Sequence, residues 1–522
     1  MSPPAPPLSF NPAGIELDRR QGLTRQLYEA LRQRVLDGRL VSGTRLPATR
    51  DLAAALSISR NSVVRAYDQL YAEGFTQSRV GDGTYVAQLP SSKKLSTKLS
   101  TGFSTGLSPT LSTIDLKKAD IPREKVIHSA ALERLENNHL PLPPTGPPRA
   151  FRVGVPAFDL FPFDVWAKLS AAFWRKPDLE LLCYGNPAGD ERLRGLIAAY
   201  LRSSRGMQCT AEQIVITSGA QQAISLCAQL LVTPGDSVAI ENPGYRAAGH
   251  AFAVAGAHLQ GVAVDSEGID CSVLNRLDNC RLAYVTPSHQ YPLGVVMSLA
   301  RRLELLAWAE RSGGWIVEDD YDGEYRYSGA PLAPLAALDR SGRVLYVGTF
   351  GKVAFPALRL GYLVLPPTLV DAFAPRRAVD VRHSEVSTQA VMAEFMAAGH
   401  FQRHIRRMRR AALSRRNALL DGWPGELPGV GSLPTSAAGL HLTVRVDSLA
   451  REQQLVAQAR AVGVEVNGLS SYWLAQAGPP DDQRAGLVLG FAAVPEAAIR
   501  QALERLRKAW TGQTASAPRS PI

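Results

Sequence analysis

Between about residues 89 and 150 the chain reads LPSSKKLSTKLSTGFSTGLSPTLST and, later, LPLPPTGPP. Serine, threonine, lysine, glycine and proline at this density cannot bury a core. The spaced leucines could instead mark a helical stripe, but Gly102, Gly106 and Pro109 oppose it. A chain interrupted in this way folds as separate bodies joined by a tether with an extended, proline-rich end. The expected organisation is a compact Arg-rich head over 1–88, a flexible tether over 89–150, a large globular body over 151–511 and a disordered tail over 512–522.

Composition narrows the class. With 45% hydrophobic and 20% charged residues, the chain is not disordered along its whole length. The five cysteines, Cys183, Cys209, Cys227, Cys271 and Cys280, are odd in number and form no CxxC pair. They read as reduced thiols in a cytoplasmic protein rather than a disulfide scaffold or a zinc site, and no metal is expected. No run approaches ~18 consecutive apolar residues, and MSPPAPPLSF lacks a basic n-region and an apolar h-region. Neither a membrane span nor a signal peptide is expected. The net charge of +11 permits a nucleic-acid partner without requiring one.

The head supplies the local argument. LTRQLYEALRQRVLDGRL places Leu23, Leu27, Leu31, Val35 and Leu36 at helical spacing, and Gly38 stands where a C-cap glycine belongs. A short second helix is expected from about Ala48 to Leu56, after Pro47. A third runs from about Arg60 to Glu73, with Ser59 as N-cap and Gly74 as its end. RVGDGTYVAQL then reads as a hairpin around Gly81-Asp82-Gly83. Helix, helix, turn, helix and hairpin make a winged helix-turn-helix, whose third helix enters the major groove. Arg60, Asn61, Ser62 and Arg65 are then placed at base edges and phosphates, with Arg50 as a further contact. Arg79 and the Gly83-Thr84 tip are candidates for the backbone or minor groove. A small helical domain with solvated arginines is the plainer alternative. The whole string from LYEALRQRVLDGRL to GDGTYVA closely resembles the N-terminal domain of GntR-family bacterial repressors, with Thr49 where a serine is usual.

In the large body, strand-like apolar runs alternate with amphipathic helical runs, the α/β pattern. Four segments carry chemistry. Ile214 to Thr217 runs into Ser218-Gly219-Ala220-Gln221 and a helix, whose free N–H groups form a phosphate cradle. Trp315-Ile316-Val317 ends in Glu318, Asp319, Asp320 and Tyr321, at a strand's carboxyl end, where α/β sites form. Val344 to Val347 leads to Gly348-Thr349-Phe350-Gly351-Lys352, with Arg359 seven residues on. Burial lowers a lysine's pKa and makes it a nucleophilic amine, while Thr349 and Arg359 can serve a phosphate. Lastly, Glu241-Asn242-Pro243-Gly244 presents Tyr245, which can stack on a planar ring. Each alone could be an ordinary loop or packing residue. Together they match the needs of pyridoxal 5′-phosphate (PLP).

The order and spacing also resemble fold-type I aminotransferases, and head and body together resemble a MocR/GabR-type transcriptional regulator. The resemblance implies these roles. Lys352 carries the Schiff base. Asp319 pairs with the pyridine nitrogen, with Asp320 as the fallback. Tyr321 faces the ring 3-oxygen and Tyr245 stacks on the ring. Thr349, Arg359 and the Gly219-Ala220-Gln221 backbone hold the phosphate. Tyr184, in YGNPAGDERLR, reaches the partner subunit's cofactor. There are departures. Where aminotransferases carry Asn-Pro-Thr-Gly, this chain has Tyr291-Pro292-Leu293-Gly294, so His289 or Gln290 would replace the asparagine. For the arginine that binds a substrate carboxylate, Arg445 is the nearest suggestion.

The segment His400 to Arg416 holds seven arginines and no acid. It reads as the solvated face of a long helix or as a second DNA-contacting surface. The expected protein is an α/β PLP-binding effector domain preceded by a winged helix-turn-helix. It would form a head-to-tail homodimer on double-stranded operator DNA, sensing an amine, an amino acid or PLP itself. A working aminotransferase with a DNA-binding head is the alternative, and a cofactor-free scaffold is a third.

Overall fold

A computed structural model describes residues 10, 12, 15–19, 22–79, 82–87, 133–134, 145–327, 332–425, 427–474 and 481–511. Most of the expected tether, Gly81 of the hairpin and the expected tail at 512–522 lie outside the described residues. The chain divides into two compact units, residues 1–121 and 122–522.

In the first unit α1 (Leu23–Leu36), α2 (Thr49–Leu56) and α3 (Arg60–Ala72) precede an antiparallel pair, β1 (Thr76–Arg79) and β2 (Gly83–Val86). Leu27, Leu31, Leu52, Val63, Ala66 and Leu70 are buried together, one apolar stripe from each helix. The Ser59 hydroxyl caps α3 by accepting from the Ser62 N–H at 3.1 Å. Gly38 and Gly74 both take positive φ, as their places after α1 and α3 demand. The second helix begins one residue later than expected, because Ala48 keeps an extended conformation as its N-cap.

The second unit is built on eight strands: β3 (Ile214–Thr217), β4 (Ser237–Asn242), β5 (His258–Asp265), β6 (Gly268–Ile269), β7 (Cys280–Val285), β8 (Trp315–Asp319), β9 (Val344–Thr349) and β10 (Gly361–Val364). Their order is β3-β10-β9-β8-β7-β4-β5-β6. From β9 to β5 neighbours run parallel, while β10 is antiparallel to both its neighbours and β6 is antiparallel to β5. The inner strands β4, β8 and β9 are buried along nearly their whole length, as a sheet covered on both faces requires. Helix Ala220–Leu231 covers one face with Ala223, Ile224 and Cys227. Leu305, Trp308 and Ala309 of helix Leu299–Ser312 pack in a separate cluster with Ile316 of β8.

A second sheet follows, of β11 (His441–Arg445), β12 (Asn467–Gly468) and β13 (Gly486–Gly490), in the order β11-β13-β12 and antiparallel throughout. Residues 145–150 lie against this body. Ala150 is buried, and the Arg152 guanidinium donates to the Gly146 and Thr145 carbonyls at 3.0 and 3.2 Å. The arginine-rich segment is the helix His400–Gly422, which buries Phe401, Ile405, Met408 and Ala412. Its arginines divide. Arg415 is buried against Asp159 at 2.6 Å and Arg409 donates to the Glu324 carbonyl, whereas Arg403, Arg406, Arg407 and Arg410 are exposed.

Candidate functional site

At the carboxyl ends of β7, β8 and β9 lies a cavity of about 260 Å³. Its lining brings together the four segments singled out in the sequence, through Gly219, Tyr245, Asp319, Tyr321, Thr349, Lys352 and Arg359, with residues from others.

One end is built for an anion. Gly219 takes a φ of 101°, open to glycine, and stands as N-cap of helix Ala220–Leu231. Ala220 and Gln221 follow in its first turn, where backbone N–H groups lack helical acceptors. The Arg359 guanidinium comes so close that a Cβ on Gly219 would lie 3.7 Å from it. Gly361 is needed behind, since its Cβ would meet the Gly219 Cα at 2.8 Å. The Thr349 hydroxyl accepts from the Gly351 N–H at 3.0 Å and lines the same end.

The middle carries a buried acid. Asp319 Oδ2 accepts from the Tyr284 hydroxyl at 2.7 Å, while Oδ1 is buried without a partner. Burial lifts its carboxyl to about 7, against the Tyr284 hydrogen bond. Asp320 leaves the strand on the opposite side, where it meets Arg205 at 2.5 Å and the Tyr346 hydroxyl at 2.6 Å. Of the two adjacent acids, Asp319 alone lines the cavity. The Tyr245 hydroxyl donates to Gln221 Oε1 at 3.3 Å, and burial pushes that phenol up to about 12.

Lys352 Nζ donates to the Gly154 carbonyl at 2.8 Å. Burial pulls its ammonium below the ordinary lysine value, and Asp322 and Asp319 pull the other way. Gly154 has φ of 78°, and a Cβ there would sit 2.9 Å from Nζ. The amine is therefore held against the Gly154 backbone while it lines the cavity.

Several expectations need correction. Neither His289 nor Gln290 lines the cavity. His289 Nδ1 is turned to Asp322 at 3.0 Å and the Tyr321 hydroxyl at 3.1 Å, and Gln290 donates to Glu241 and the Pro243 carbonyl. Tyr291 lines the cavity instead. Arg445 is not a cavity residue: it donates to the Gln483 carbonyl at 2.9 Å and borders a separate cleft. Tyr321 lines the cavity with its hydroxyl donated to the His289 carbonyl. Tyr184 stands outside, 89% exposed, its ring 6.0 Å from that of His383. Sequence reasoning missed Val153, Gly154, Tyr284, Thr286, Tyr291 and His441. Tyr284 and Thr286 could have been found from their place at the end of β7.

On the first unit, Arg50, Arg60, Asn61 and Arg65 are exposed, and Ser62 is partly covered with its hydroxyl 2.9 Å from that of Ser59. Arg60 Nε donates to the Thr49 hydroxyl at 3.4 Å, joining α3 to the start of α2. Gly83 has φ of 126° and Thr84 follows it in β2; Arg79 pairs with Gly83 in the ladder. Arg45 was missed: it bridges to Tyr85 and packs its guanidinium against Gly83 at the wing.

A winged helix followed by an α/β body of this topology defines a class: the gntR-headed proteins with an aminotransferase domain. The family of bacterial regulatory proteins, gntR family, matches residues 23–86, and aminotransferase class I and II matches residues 151–506. The chain is 36% identical to the probable rhizopine catabolism regulatory protein MocR of Rhizobium meliloti, over 95% of both chains. It is 32% identical to the pyridoxine biosynthesis transcriptional regulator PdxR of Corynebacterium glutamicum, over 96% of this chain and 98% of that one. It belongs to this family of MocR-type, HTH-type transcriptional regulators. Among solved structures, kynurenine aminotransferase of Pyrococcus horikoshii is similar at TM-score 0.62 and 26% identity, over 75% of this chain and 96% of that one. The α-aminoadipate aminotransferase LysN of Thermus thermophilus, complexed with N-(5′-phosphopyridoxyl)-L-leucine, is similar at 0.63 and 26%, over 74% and 95%.

Proposed function

We propose that this protein is a PLP-dependent transcriptional regulator that senses an amine, an amino acid or PLP itself through Lys352. The observation that carries the reading is the buried, unpartnered Asp319 Oδ1 in one cavity with Lys352 and an anion cradle. An acid left unpaired in this way is costly unless a cation or proton-bearing nitrogen meets it. A pyridinium nitrogen answers that need, and the glycine-led helix start with Arg359 and Thr349 answers a phosphate.

When bound, PLP supplies an electrophilic carbonyl carbon for an amine to attack. Lys352 offers the amine, and burial favours its unprotonated form. Asp319 holds the ring nitrogen and Tyr245 covers the ring. Gly219, Ala220 and Gln221 bind the phosphate through backbone N–H groups, with Arg359 and Thr349 from the side. Tyr321 offers its phenol beside the ring. The exposed Tyr184 suits a head-to-tail homodimer in which it completes the partner's site. In that dimer each head reads one operator half-site through α3 and the wing, and residues 89–150 tether head to body. The protein acts in the cytoplasm.

The test is the visible spectrum of the purified full chain with PLP. A Schiff-base band should appear, and borohydride should fix the cofactor to Lys352. The Lys352→Ala protein should show neither. A colourless wild-type protein, or cofactor fixed equally in Lys352→Ala, would refute the reading.

A further inference from the structure

Tyr321 enters the cavity from the turn after β8, and a single residue behind the wall, His289, holds its hydroxyl from two sides. The phenol donates to the His289 carbonyl at 2.9 Å, and Nδ1 of the same histidine stands 3.1 Å from the phenol oxygen. Nδ1 is also 3.0 Å from Asp322 Oδ2. With the phenol hydrogen given to the carbonyl and a carboxylate on the other side, Nδ1 faces two acceptors, so it carries a hydrogen there. The imidazole therefore donates to the phenol oxygen while Asp322 sets its orientation.

The frame around the pair is close-fitting. Both side chains are buried. Gly294 and Gly439 flank the imidazole with φ of 76° and 91°. A Cβ on Gly294 would lie 3.1 Å from Nε2, and one on Gly439 would overlap the ring. Asp322 opens a turn in which its carbonyl accepts from the Tyr325 N–H at 2.9 Å, and the Tyr325 hydroxyl donates to the Lys352 carbonyl at 2.7 Å. The Gly439 N–H donates to the Tyr325 carbonyl at 2.8 Å. One hydrogen-bonded frame thus carries Lys352, Tyr321, Asp322 and His289. Other ionisable groups stand around it. Asp319, Tyr291 and Glu241 are near the Tyr321 hydroxyl, and the His441 ring lies 4.8 Å from that of His289. Arg205 and Arg326 border a small cavity that His289 and Asp322 share.

We propose that His289 and Asp322 are positioning residues for Tyr321: Asp322 orients the imidazole, and the imidazole fixes the phenol oxygen in the cavity wall and strengthens the phenol as a donor toward the cofactor ring. This rests on the PLP reading above. An N–H given to a hydroxyl oxygen polarises its O–H. That O–H, now turned to the His289 carbonyl, can rotate about its C–O bond toward a ring oxygen. A donor at the ring 3-oxygen competes with the Schiff-base nitrogen for that oxygen. The nitrogen then keeps its proton less tightly, and the visible band titrates at lower pH.

The test is a pH titration of the visible band in the full chain with PLP. Tyr321→Phe should raise the midpoint by about one pH unit, a tenfold gain in proton affinity, for the loss of one hydrogen bond. His289→Leu fills the slot between the glycines but carries no N–H, and should raise the midpoint at least half as far. His289→Asn sets an amide N–H where Nδ1 stood and should titrate like wild type. The double variant Tyr321→Phe/His289→Leu should shift no further than Tyr321→Phe alone, because His289 acts through the phenol. Melts of the cofactor-free proteins check that each variant folds. His289→Leu titrating like wild type, or the two shifts adding in the double variant, overturns the inference and leaves the cofactor reading intact. Should the leucine variant fail to fold, a His289→Asn shift as large as that of Tyr321→Phe overturns it equally. A wild-type protein with no visible band overturns both.

Discussion

Replacing Asp319 with asparagine should move stability and cofactor affinity in opposite directions. Burial lifts the Asp319 carboxyl from its usual 3.8 to about 7. The folded protein without cofactor therefore holds this proton more tightly than the unfolded chain does. The cost of burying the charge is absent below about pH 4, grows as pH rises, and is complete above about pH 7. At about 1.4 kcal/mol for each tenfold change in proton affinity, it amounts to roughly 4 kcal/mol. Asparagine is neutral at every pH and can still accept from Tyr284. Cofactor-free Asp319→Asn should thus be more stable than wild type at pH 8, by up to about 4 kcal/mol, and little different at pH 4. PLP binding should weaken, because a hydrogen bond to a charged group is worth about 1.5–3 kcal/mol, or about 10- to 150-fold in Kd. Thermal melts of cofactor-free protein at both pH values, with PLP titrations, measure both arms. A variant less stable at pH 8, or one that binds PLP as tightly as wild type, would refute the reasoning.

Two further outcomes concern the head. Ser59→Ala removes the cap of α3 and should cost about 1 kcal/mol of local stability, read as faster amide exchange at the start of that helix. Arg65→Ala should weaken operator binding across all sequences and lower the salt slope by about 0.9 if its partner is a phosphate. Loss of sequence discrimination with an unchanged slope would assign Arg65 to a base edge instead.

The parts of the site that are contiguous in sequence were legible. Thr349, Lys352 and Arg359 fall within one strand–turn–strand segment, and Gly219 to Gln221 open one helix. Asp319 and Asp320 were separable only by strand face, and the sheet decides: one face meets the cavity, the other Arg205. The far wall was not legible, because Val153 and His441 come from segments that only tertiary packing brings to Lys352. Arg445 shows how the guess failed. It shares a strand face with His441, but four residues along a strand is about 13 Å, enough to leave the cavity. His289 was misread because its ring is drawn away by Asp322. The three helices and hairpin of the head were readable throughout, since each apolar stripe and cap lies in local sequence.

The route from the pocket to residues 145 and 146 is short. A ligand shifts a regulator only by binding two states unequally, so a change at Lys352 must alter something the rest of the chain feels. The Lys352 amine hydrogen-bonds the Gly154 carbonyl. Two residues before it, Arg152 clamps the carbonyls of Thr145 and Gly146 and is itself fixed by Glu465. On the PLP reading proposed above, a Lys352 joined to the cofactor would have fewer hydrogens to give Gly154, and a freed amine would have more. A charge-assisted bond made or lost there is worth about 1.5–3 kcal/mol, enough for a 10- to 150-fold bias between two arrangements of residues 145–154.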